Sequence, residues 1–279
     1  MKRIMWLVAL ILVAFTVTPA VADFYVIAGG GRLGTAITTV PFAITSPGLY
    51  YLTANLTSSG TNNYAITVDA DDVTIDLMGF CLTGPGKGSG ANNSGIVVAA
   101  TRTNVEIRNG SIKAFGYEGI RSAPDSTSIR VVGLRVRETG RYGMQLNGID
   151  NLVMDCAVNS CVAGIYVGYS SLVKGSQVAG NNSAGINMSA GSTAVGNTLH
   201  GNSHGILATY GSLVTDNTVS NNSGMGISAQ DNCTITRNTA YNNSGTGINT
   251  GTYCTITNNT TDGLTYGTNC ILAYNRETP

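Results

Sequence analysis

Residues that could bind a sugar chain recur in three successive repeats of the sequence. The second residue after a repeat glycine is Arg121, Gln145 or Tyr166, and Tyr117-Glu118 and Arg141-Tyr142 directly precede two of those glycines. Because equivalent residues of stacked repeats lie above one another, we expect these side chains to share one outer face. Aromatic platforms combined with arginine, glutamine and a carboxylate suit an anionic or neutral sugar chain. The predicted substrate-binding residues are Tyr117, Arg121, Arg141, Tyr142, Gln145 and Tyr166.

The alternative interpretation of this face is an ordinary exposed surface with ion pairs, each worth only ~0–1 kcal/mol. If the protein is an enzyme, the candidate catalytic groups are Arg121, Arg141 and Glu118. One of the two arginines would take a proton from a sugar carbon, and Glu118 would assist departure of the leaving group. Such chemistry would make the protein a polysaccharide lyase or a glycoside hydrolase.

A second set of charged residues gives the candidates for a metal site. Asp76, Glu106 and Arg130 each precede a turn position by three residues and are flanked by apolar residues. We expect Asp76 and Glu106 to stack, which could hold Ca²⁺ or provide an acid and base pair. The alternative is a solvated row of charges neutralised by one arginine. No Cys-x-x-Cys sequence or other zinc-like spacing is present.

The elements that would position these residues follow from an internal repeat of about 21 residues. Gly-Ile recurs at Gly164, Gly185, Gly205, Gly226 and Gly247. Apolar residues within each repeat alternate with period two over short runs bounded by Gly, Asn and Ser, which predicts short strands and turns. A fixed period of this length indicates a solenoid in which each strand pairs with its equivalent one coil away.

A recurring asparagine fits the same geometry. Repeated turn positions hold Asn197, Asn217, Asn238, Asn259 and Asn275, which should lie about 4.8 Å apart, the spacing of paired strands. Asparagine tolerates the left-handed conformation of a sharp turn, and its amide can bond to the amides above and below. We therefore expect an asparagine ladder. A second column of small residues precedes it by five positions: Ser192, Ser212, Cys233, Cys254 and Cys270.

The Gly-Ile phrase and the turn asparagine resemble those of the right-handed parallel β-helix repeat family, the pectate-lyase-like solenoids of bacteria. The resemblance covers roughly residues 65–275 and implies a right-handed coil. That family includes lyases, hydrolases, epimerases and adhesins. Ser203-His204-Gly205 resembles a Gly-His-Gly motif of its polygalacturonases, but the accompanying aspartate pairs are absent. Since His204 occupies the slot of Ala184 and Ala163, we expect a turn residue.

The fold predicted from these patterns is all-β, a single-domain right-handed parallel β-helix of about ten coils with a strand-built N-terminal cap. Residues 1–22 are typical of an export signal, with Lys2 and Arg3 before an apolar run and a cleavage site after Ala22. Residues 23–64 would form the β cap and residues 65–279 the β-helix. No transmembrane segment is expected after signal removal, and the predicted location is periplasmic or secreted from a bacterium.

Charge and cysteine content limit the partners. After residue 22, 13 basic residues stand against 15 acidic ones, so the net charge of −2 does not favour nucleic acid. Eight of those basic residues lie between positions 102 and 141, which places a site on the early coils. The glycine-rich loop at 84–94 would wall a groove there. Six cysteines in an exported chain permit disulfides, with Cys156 and Cys161 the best candidate pair.

The function predicted from the sequence is binding, and cleavage if the protein is an enzyme, of an extracellular polysaccharide or cell-surface glycan on the outer face of the early coils. The alternative is a surface or structural solenoid, or an adhesin, without enzymatic activity. No cofactor is required by either function, and Ca²⁺ is the one ion that the acidic residues suggest. The sequence leaves the oligomeric state open.

Overall fold

The alternating apolar residues form two long parallel sheets that coil around a narrow core. The computed structural model describes residues 34–60, 64–89 and 93–277, all of which belong to one compact unit. The predicted signal segment 1–22 and the start of the predicted cap lie outside the described residues. In the described part, every strand pairing is parallel and no helix occurs. The prediction of an all-β parallel helix of about ten coils is confirmed.

Sheet 1 has eleven strands, one for each coil. They are Phe42–Ile44, Ile66–Val68, Ile96–Val98, Ile120–Ser122, Tyr142–Leu146, Ala163–Val167, Ala184–Met188, His204–Ala208, Ile227–Ala229, Ile248–Thr250 and Leu264–Thr265.

Sheet 2 has 21 strands and wraps the rest of each coil in two series. After Thr35–Ile37, the first series is Gly48–Leu52, Val73–Asp76, Thr103–Lys113, Thr127–Arg137, Leu152–Met154, Leu172–Lys174, Thr193–Val195, Leu213–Thr215, Thr234–Thr236, Thr255–Thr257 and Ile271–Ala273. The two long strands of this series also serve in the second series. The other members of the second series are Leu56–Thr57, Cys81–Thr83, Ala157–Asn159, Gln177–Ala179, Thr198–His200, Thr218–Ser220, Thr239–Tyr241, Thr260–Thr261 and Arg276–Glu277.

The segment predicted as a cap contributes strands to both sheets. Phe42–Ile44 pairs with Ile66–Val68 in sheet 1, and Gly48–Leu52 pairs with Val73–Asp76 in sheet 2. Both sheets therefore continue without interruption across residue 65, the predicted boundary between the cap and the β-helix. Among the described residues, no helix has the length and apolar composition needed to span a membrane.

The Gly-Ile phrase is explained by close packing between coils. The isoleucines after the repeat glycines are buried in one continuous core. A Cβ at Gly164 would lie 2.2 Å from the carbonyl oxygen of Gly185, and one at Gly205 would lie 2.4 Å from that of Gly226. Side chains therefore have no room at these positions, whereas the next residue points into the core.

Buried asparagines pair across successive coils at the turn between the two series of sheet 2. The amide Nδ2 of Asn197 donates to Oδ1 of Asn217 at 3.0 Å, and the same bond joins Asn217 to Asn238 and Asn238 to Asn259. Each Oδ1 also accepts the backbone N–H of the preceding asparagine. Left-handed φ falls on the residue before the asparagine, as at Asp216 and Arg237, and not on the asparagine itself.

A second set of paired asparagines lies at the corner between sheet 2 and sheet 1. Asn181 donates to Asn202 at 2.9 Å, Asn202 to Asn222 at 3.2 Å, and Asn222 to Asn243 at 2.9 Å. These residues recur as Asn-Asn-Ser or Asn-Ser at the period of the repeat, so the sequence contained the signal. In the later coils, two corners are thus held by paired amides.

The predicted Cys156–Cys161 disulfide is wrong, because all six cysteines are free thiols. Cys156 Sγ donates to the carbonyl oxygen of Met154, and Cys161 Sγ donates to that of Asn159. Cys156 stands in the column of Ser176 and Cys161 in that of Asn181, so the two thiols occupy different corners of one coil. Burial raises the pKa of Cys156 to about 11, which keeps this thiol protonated. The stacking of Cys254 on Cys270 is confirmed by a bond from Cys254 N to Cys270 Sγ at 3.3 Å.

Asn238→Ala tests the contribution of the buried amides. The substitution removes the acceptor for Asn217 and the donor to Asn259, and leaves those buried groups without partners. We expect a loss of about 1–3 kcal/mol in the free energy of unfolding, measured by urea titration. Asn182→Ala, at an exposed turn position, is the matched control and should change it much less. Equal shifts for the two variants would contradict this account of the corners.

Candidate functional site

The face predicted to bind sugar lies on the outer side of sheet 1, where residues of adjacent coils pair in register. Arg121 pairs with Gln145, Gln145 with Tyr166, and Tyr166 with Asn187. Their neighbours Ile120, Met144 and Ile165 are buried. Alternation along these strands therefore directs Arg121, Gln145 and Tyr166 outward. The structure therefore brings together these three of the predicted substrate-binding residues.

Arg141 joins the aromatic residues at the edge of this face. Its guanidinium carbon lies 4.9 Å from the centre of the Tyr117 ring and 5.5 Å from that of Tyr142. Its Nη1 donates to Tyr117 Oη at 2.6 Å and to Glu118 Oε1 at 3.1 Å. The Tyr142 and Tyr166 rings are 6.0 Å apart and inclined by 59°. Tyr117, Arg141, Tyr142 and Tyr166 therefore form one connected cluster, with Arg141 held between two rings.

Glu118 was predicted on the outer face, and the structure places its carboxyl group beneath that face. The side chain is fully buried, two residues before the buried Ile120. Ser94 Oγ donates to Glu118 Oε2 at 2.9 Å. The segment containing Asn93 and Ser94 covers the carboxyl group, with Asn93 O accepting the backbone N–H of Tyr117. Glu118 therefore supports Arg141 from below, in a place that a sugar on the outer face does not touch.

Burial raises the pKa of Glu118 above its ordinary value. The bond from Ser94 and the positive charges of Arg141 and Arg121 oppose this effect and favour the carboxylate. Burial is the larger influence because the group has lost its water. The ion pair with Arg141 is thus buried on its acidic side and exposed on its basic side.

The side-chain oxygen of Gln145 is a hydrogen-bond acceptor that receives no hydrogen bond from the described residues. Asn147 Nδ2 donates to the carbonyl oxygen of Ser122 at 2.6 Å, which leaves Asn147 Oδ1 to accept from Gln145 Nε2 at 2.9 Å. This chain of bonds fixes the orientation of the Gln145 amide. Its Oε1 is buried and has no hydrogen-bond partner in the described part of the chain. Asn147 was missed by the sequence analysis because it belongs to no recurring column.

Arg121 is the cation of this face that is free to meet a ligand. Its guanidinium group makes no hydrogen bond or ion pair with any side chain in the described ranges, whereas that of Arg141 is engaged by Tyr117 and Glu118. Arg121 is only half-buried. On the other side, Tyr166 Oη bonds Ser189 Oγ at 3.0 Å, which fixes that ring. The face thus combines tyrosine rings that have side-chain partners with one cation that has none in the described ranges.

The loop predicted to wall the groove lies against the corner beside this face. Lys87 Nζ donates to the carbonyl oxygen of Ser160 at 2.8 Å, and Asn93 Oδ1 accepts from the backbone N–H of Gly116 at 2.5 Å. A Cβ at Gly140 would lie 2.8 Å from the carbonyl oxygen of Lys87. Residues 90–92 lie outside the described residues.

The predicted stacking of Asp76 on Glu106 is wrong by two residues. Thr74 pairs with Glu106, and Asp76 pairs with Arg108. The shift arises because Val98 and Val105 are two residues further apart in the sequence than Val68 and Val73, the residues with which they pair. Arg108 Nε bonds Asp76 at 2.9 Å, and its Nη1 bonds Glu106 at 3.0 Å. Arg130 bonds the other oxygen of Glu106 at 3.0 Å. Acids and arginines alternate along this row, as expected of a surface ion-pair network.

His204 lies in register with Ala184 at the start of its strand, as the sequence indicated. Its Nδ1 is 3.2 Å from Ser203 Oγ. The ring is therefore bonded to its own turn residue and lies several coils from Arg121.

Comparison with known families gives two matches. The family described as "Right handed beta helix region" matches residues 53–203, which is just over half of the 279-residue chain. The family described as "Periplasmic copper-binding protein (NosD)" matches residues 188–278. No curated protein sequence matches the chain significantly.

Copper is not supported by the residues of the matched segment. The described residues contain no group of three or more His, Cys, Asp or Glu side chains that could hold a metal ion. Burial also raises the pKa of the Cys233 and Cys254 thiols, so both resist forming the thiolate that binds metal. We therefore derive no metal chemistry for this segment.

Several solved structures have the same coiled fold as this chain. The A-module of a mannuronan C-5 epimerase from Azotobacter vinelandii has a TM-score of 0.59 at 10% identity, covering 90% of this chain and 85% of the module. An alginate lyase from a Paenibacillus species has a TM-score of 0.59 at 15% identity, covering 85% and 90%. A mutant of the periplasmic alginate epimerase AlgG has a TM-score of 0.57 at 11% identity, covering 84% and 77%. These likenesses show the fold, and the predicted right-handed coil is confirmed.

Glu118→Gln tests the buried carboxyl group. Because burial raises the pKa of Glu118, the native state holds this proton more tightly than the unfolded chain does. The resulting stabilisation is present below the ordinary glutamate pKa of about 4.3 and is lost as the pH rises through the folded-state pKa. The glutamine variant is uncharged throughout. The free energy of unfolding of the wild type relative to the variant should therefore fall as the pH rises above about 4.3.

Urea unfolding at a series of pH values measures this difference. Asp125→Asn, at an exposed turn position, controls for the loss of a carboxylate as such. A difference between wild type and Glu118→Gln that stays constant, or that grows with pH, would contradict the buried placement of Glu118.

Proposed function

The chain belongs to the right-handed β-helix family, and from that premise we propose that it is an exported protein that binds a polysaccharide on the outer face of sheet 1. The residues proposed to form the site are Tyr117, Arg121, Arg141, Tyr142, Gln145 and Tyr166. The proposed ligand is a chain that carries hydroxyl groups and carboxylates.

The observation that carries this proposal is the unpaired acceptor of Gln145 beside an unpaired cation. Gln145 Oε1 lacks a donor within the described residues, and Arg121 lies one strand spacing away. A buried acceptor without a donor is costly, so turning the Gln145 amide outward to accept from a ligand hydroxyl group would relieve that cost. Arg121 offers a planar fork that fits a carboxylate. A sugar acid supplies both groups on neighbouring carbon atoms.

The tyrosines provide the apolar part of the site. The Tyr142 and Tyr166 rings lie on adjacent coils with their centres 6.0 Å apart and are inclined by 59°, so each ring offers its own face to a ligand. Sugar rings stack on such surfaces through their C–H faces. Arg141 holds Tyr117 and Tyr142 in place from the edge, so we assign it to positioning rather than to direct contact with a carboxylate. Glu118 in turn holds Arg141.

Binding is a better-supported function than cleavage. The carboxyl group of Glu118 is covered by Ser94 and paired with Arg141, so it is removed from a leaving group on the outer face. Arg121 remains the group that would approach a sugar carbon if the protein acts as a lyase. Several structural relatives carry names that refer to alginate or mannuronan, which supports an acidic polysaccharide as the first ligand class to test.

The proposed location is the periplasm or the cell exterior. The matched NosD family and the AlgG structure are both described as periplasmic. The expected export signal at residues 1–22, with cleavage after Ala22, fits the same location. A polysaccharide ligand would be met there.

Titration with acidic and neutral oligosaccharides tests the binding site. Arg121→Ala and Tyr142→Ala should each weaken binding of an alginate oligosaccharide by about tenfold or more, and should leave the melting temperature nearly unchanged. Asn249→Ala is the matched control, because Asn249 belongs to the same outward column several coils away. It should retain full affinity.

Failure to bind any glycan in an array, or equal losses in all three variants, would overturn the proposal in favour of a structural solenoid. Absorbance of unsaturated sugar products, followed in the same samples, separates binding from lyase activity.

A further inference from the structure

A compact cluster of positive charge lies on sheet 2, away from the face described above. Ser111 pairs in register with Arg135, and Lys113 pairs with Arg137. Ile112 and Val136 between them are buried, so the four side chains point outward. They occupy the corners of a rectangle of about 4.8 Å by 6.6 Å, set by the strand spacing and the rise of two residues. We call this group of four residues the basic square.

The charges of the basic square are poorly compensated. Elsewhere on the same strands, Arg108 bonds Asp76 and Glu106, and Arg130 also bonds Glu106. Within the basic square only Arg137 meets an acid, its neighbour Glu138. The side chains of Ser111, Lys113 and Arg135 have no hydrogen-bond or ion-pair partner in the described ranges.

The residues that flank the basic square on the adjacent coils carry no charge. Cys81 and Thr83 pair on one side, and Ala157 and Asn159 on the other. Like charges directly opposite on neighbouring strands repel, as Lys113 and Arg137 do here. This repulsion between Lys113 and Arg137 destabilises the folded protein. An anion bound between the cations would remove the repulsion.

A cleft adjoins the basic square at Arg135. It has a volume of about 280 Å³ and is lined by Gly133, Leu134, Arg135, Asp155, Cys156, Ala157, Gly175 and Gln177. Asp155 and Gln177 offer an acceptor and an amide at its edge. A ligand whose anionic group sits on the basic square would therefore extend over hydrogen-bonding groups suited to hydroxyls.

We propose that the basic square binds the phosphate group of a phosphorylated sugar and that the adjoining cleft holds its ring. A phosphate monoester carries close to two negative charges and three acceptor oxygens. Three oxygens match the three cations, and the Ser111 hydroxyl adds a further donor. A carboxylate has one charge and two oxygens in a plane, so it fills the basic square less completely. This site is on a different sheet from the proposed polysaccharide face and does not depend on it.

Calorimetric titration with a hexose phosphate tests the proposal. The wild type should bind it saturably and more tightly than it binds acetate at equal ionic strength. Lys113→Gln and Arg135→Gln should each weaken binding about tenfold, and the double variant more. Arg276→Gln, which removes an exposed cation at the far end of the same sheet, is the control and should bind as the wild type does.

Melting temperatures show whether a loss of binding reflects misfolding. In phosphate-free buffer the Lys113→Gln/Arg135→Gln variant should melt at or above the wild-type temperature, because a repulsion has been removed. Hexose phosphate should raise the melting temperature of the wild type and leave that of the variant unchanged. The Nε–Hε signals of Arg135 and Arg137 in NMR spectra should shift during the titration.

Absence of saturable binding, or affinities for hexose phosphate and acetate that are equal, would overturn the proposal. So would equal losses in Arg135→Gln and Arg276→Gln, because that result would indicate attraction by overall charge and no local site.

Discussion

Strands in the described part of this protein take their backbone partners from the equivalent strands one coil before and one coil after. This in-register parallel pairing is the interaction on which the rest of the structure depends. It brings equivalent positions of the repeat within about 4.8 Å of one another, so every side chain must fit against the side chains at the same position above and below. Glycine meets that condition where neighbouring coils approach closely, as at Gly164 and Gly205, and isoleucine meets it in the core. Asparagine meets it at the turns, where its amide can donate upward and accept downward.

The same pairing makes the outer surface a fixed grid. A side chain that points outward has neighbours at one strand spacing along the axis and at two residues along the strand. Both proposed binding sites lie on this grid of outward positions. On sheet 1, Arg121, Gln145 and Tyr166 follow one column, and the Tyr117–Arg141–Tyr142 cluster stands at its edge. On sheet 2, the basic square uses four adjacent grid positions. A ligand with a regular spacing of polar groups is therefore the natural partner of such a surface.

The fold was predictable from the sequence because a repeat of about 21 residues recurs regularly. Such a repeat indicates a solenoid without reference to the propensities of single segments. Gly164, Gly185 and Gly205 alone indicate the coil and locate its core strand. The column from Arg121 to Tyr166 was predictable for the same reason, since alternation with period two decides which residues face outward. Prediction failed where the period was broken. Two extra residues between Val98 and Val105 place Asp76 opposite Arg108 and not opposite Glu106, and no repeat pattern predicts the length of a single connection.

The burial of Glu118 by a loop was also not predictable from the sequence. Asn93 and Ser94 cover Glu118, so a carboxylate that was predicted on the outer face is a buried support for Arg141. The unpaired oxygen of Gln145 depends on Asn147, a residue outside every column. Cys156 and Cys161 are close in sequence but belong to different corners, which only the three-dimensional coil reveals. The details that bear most directly on function are thus those that depart from the repeat.

A crystal structure of the protein with a bound acidic oligosaccharide tests the central claim most directly. Sugar rings should lie over Tyr142 and Tyr166, with a sugar hydroxyl within hydrogen-bond distance of Gln145 Oε1 and a carboxylate against Arg121. Density for the oligosaccharide on any other face, with Gln145 Oε1 still lacking a donor, would contradict it.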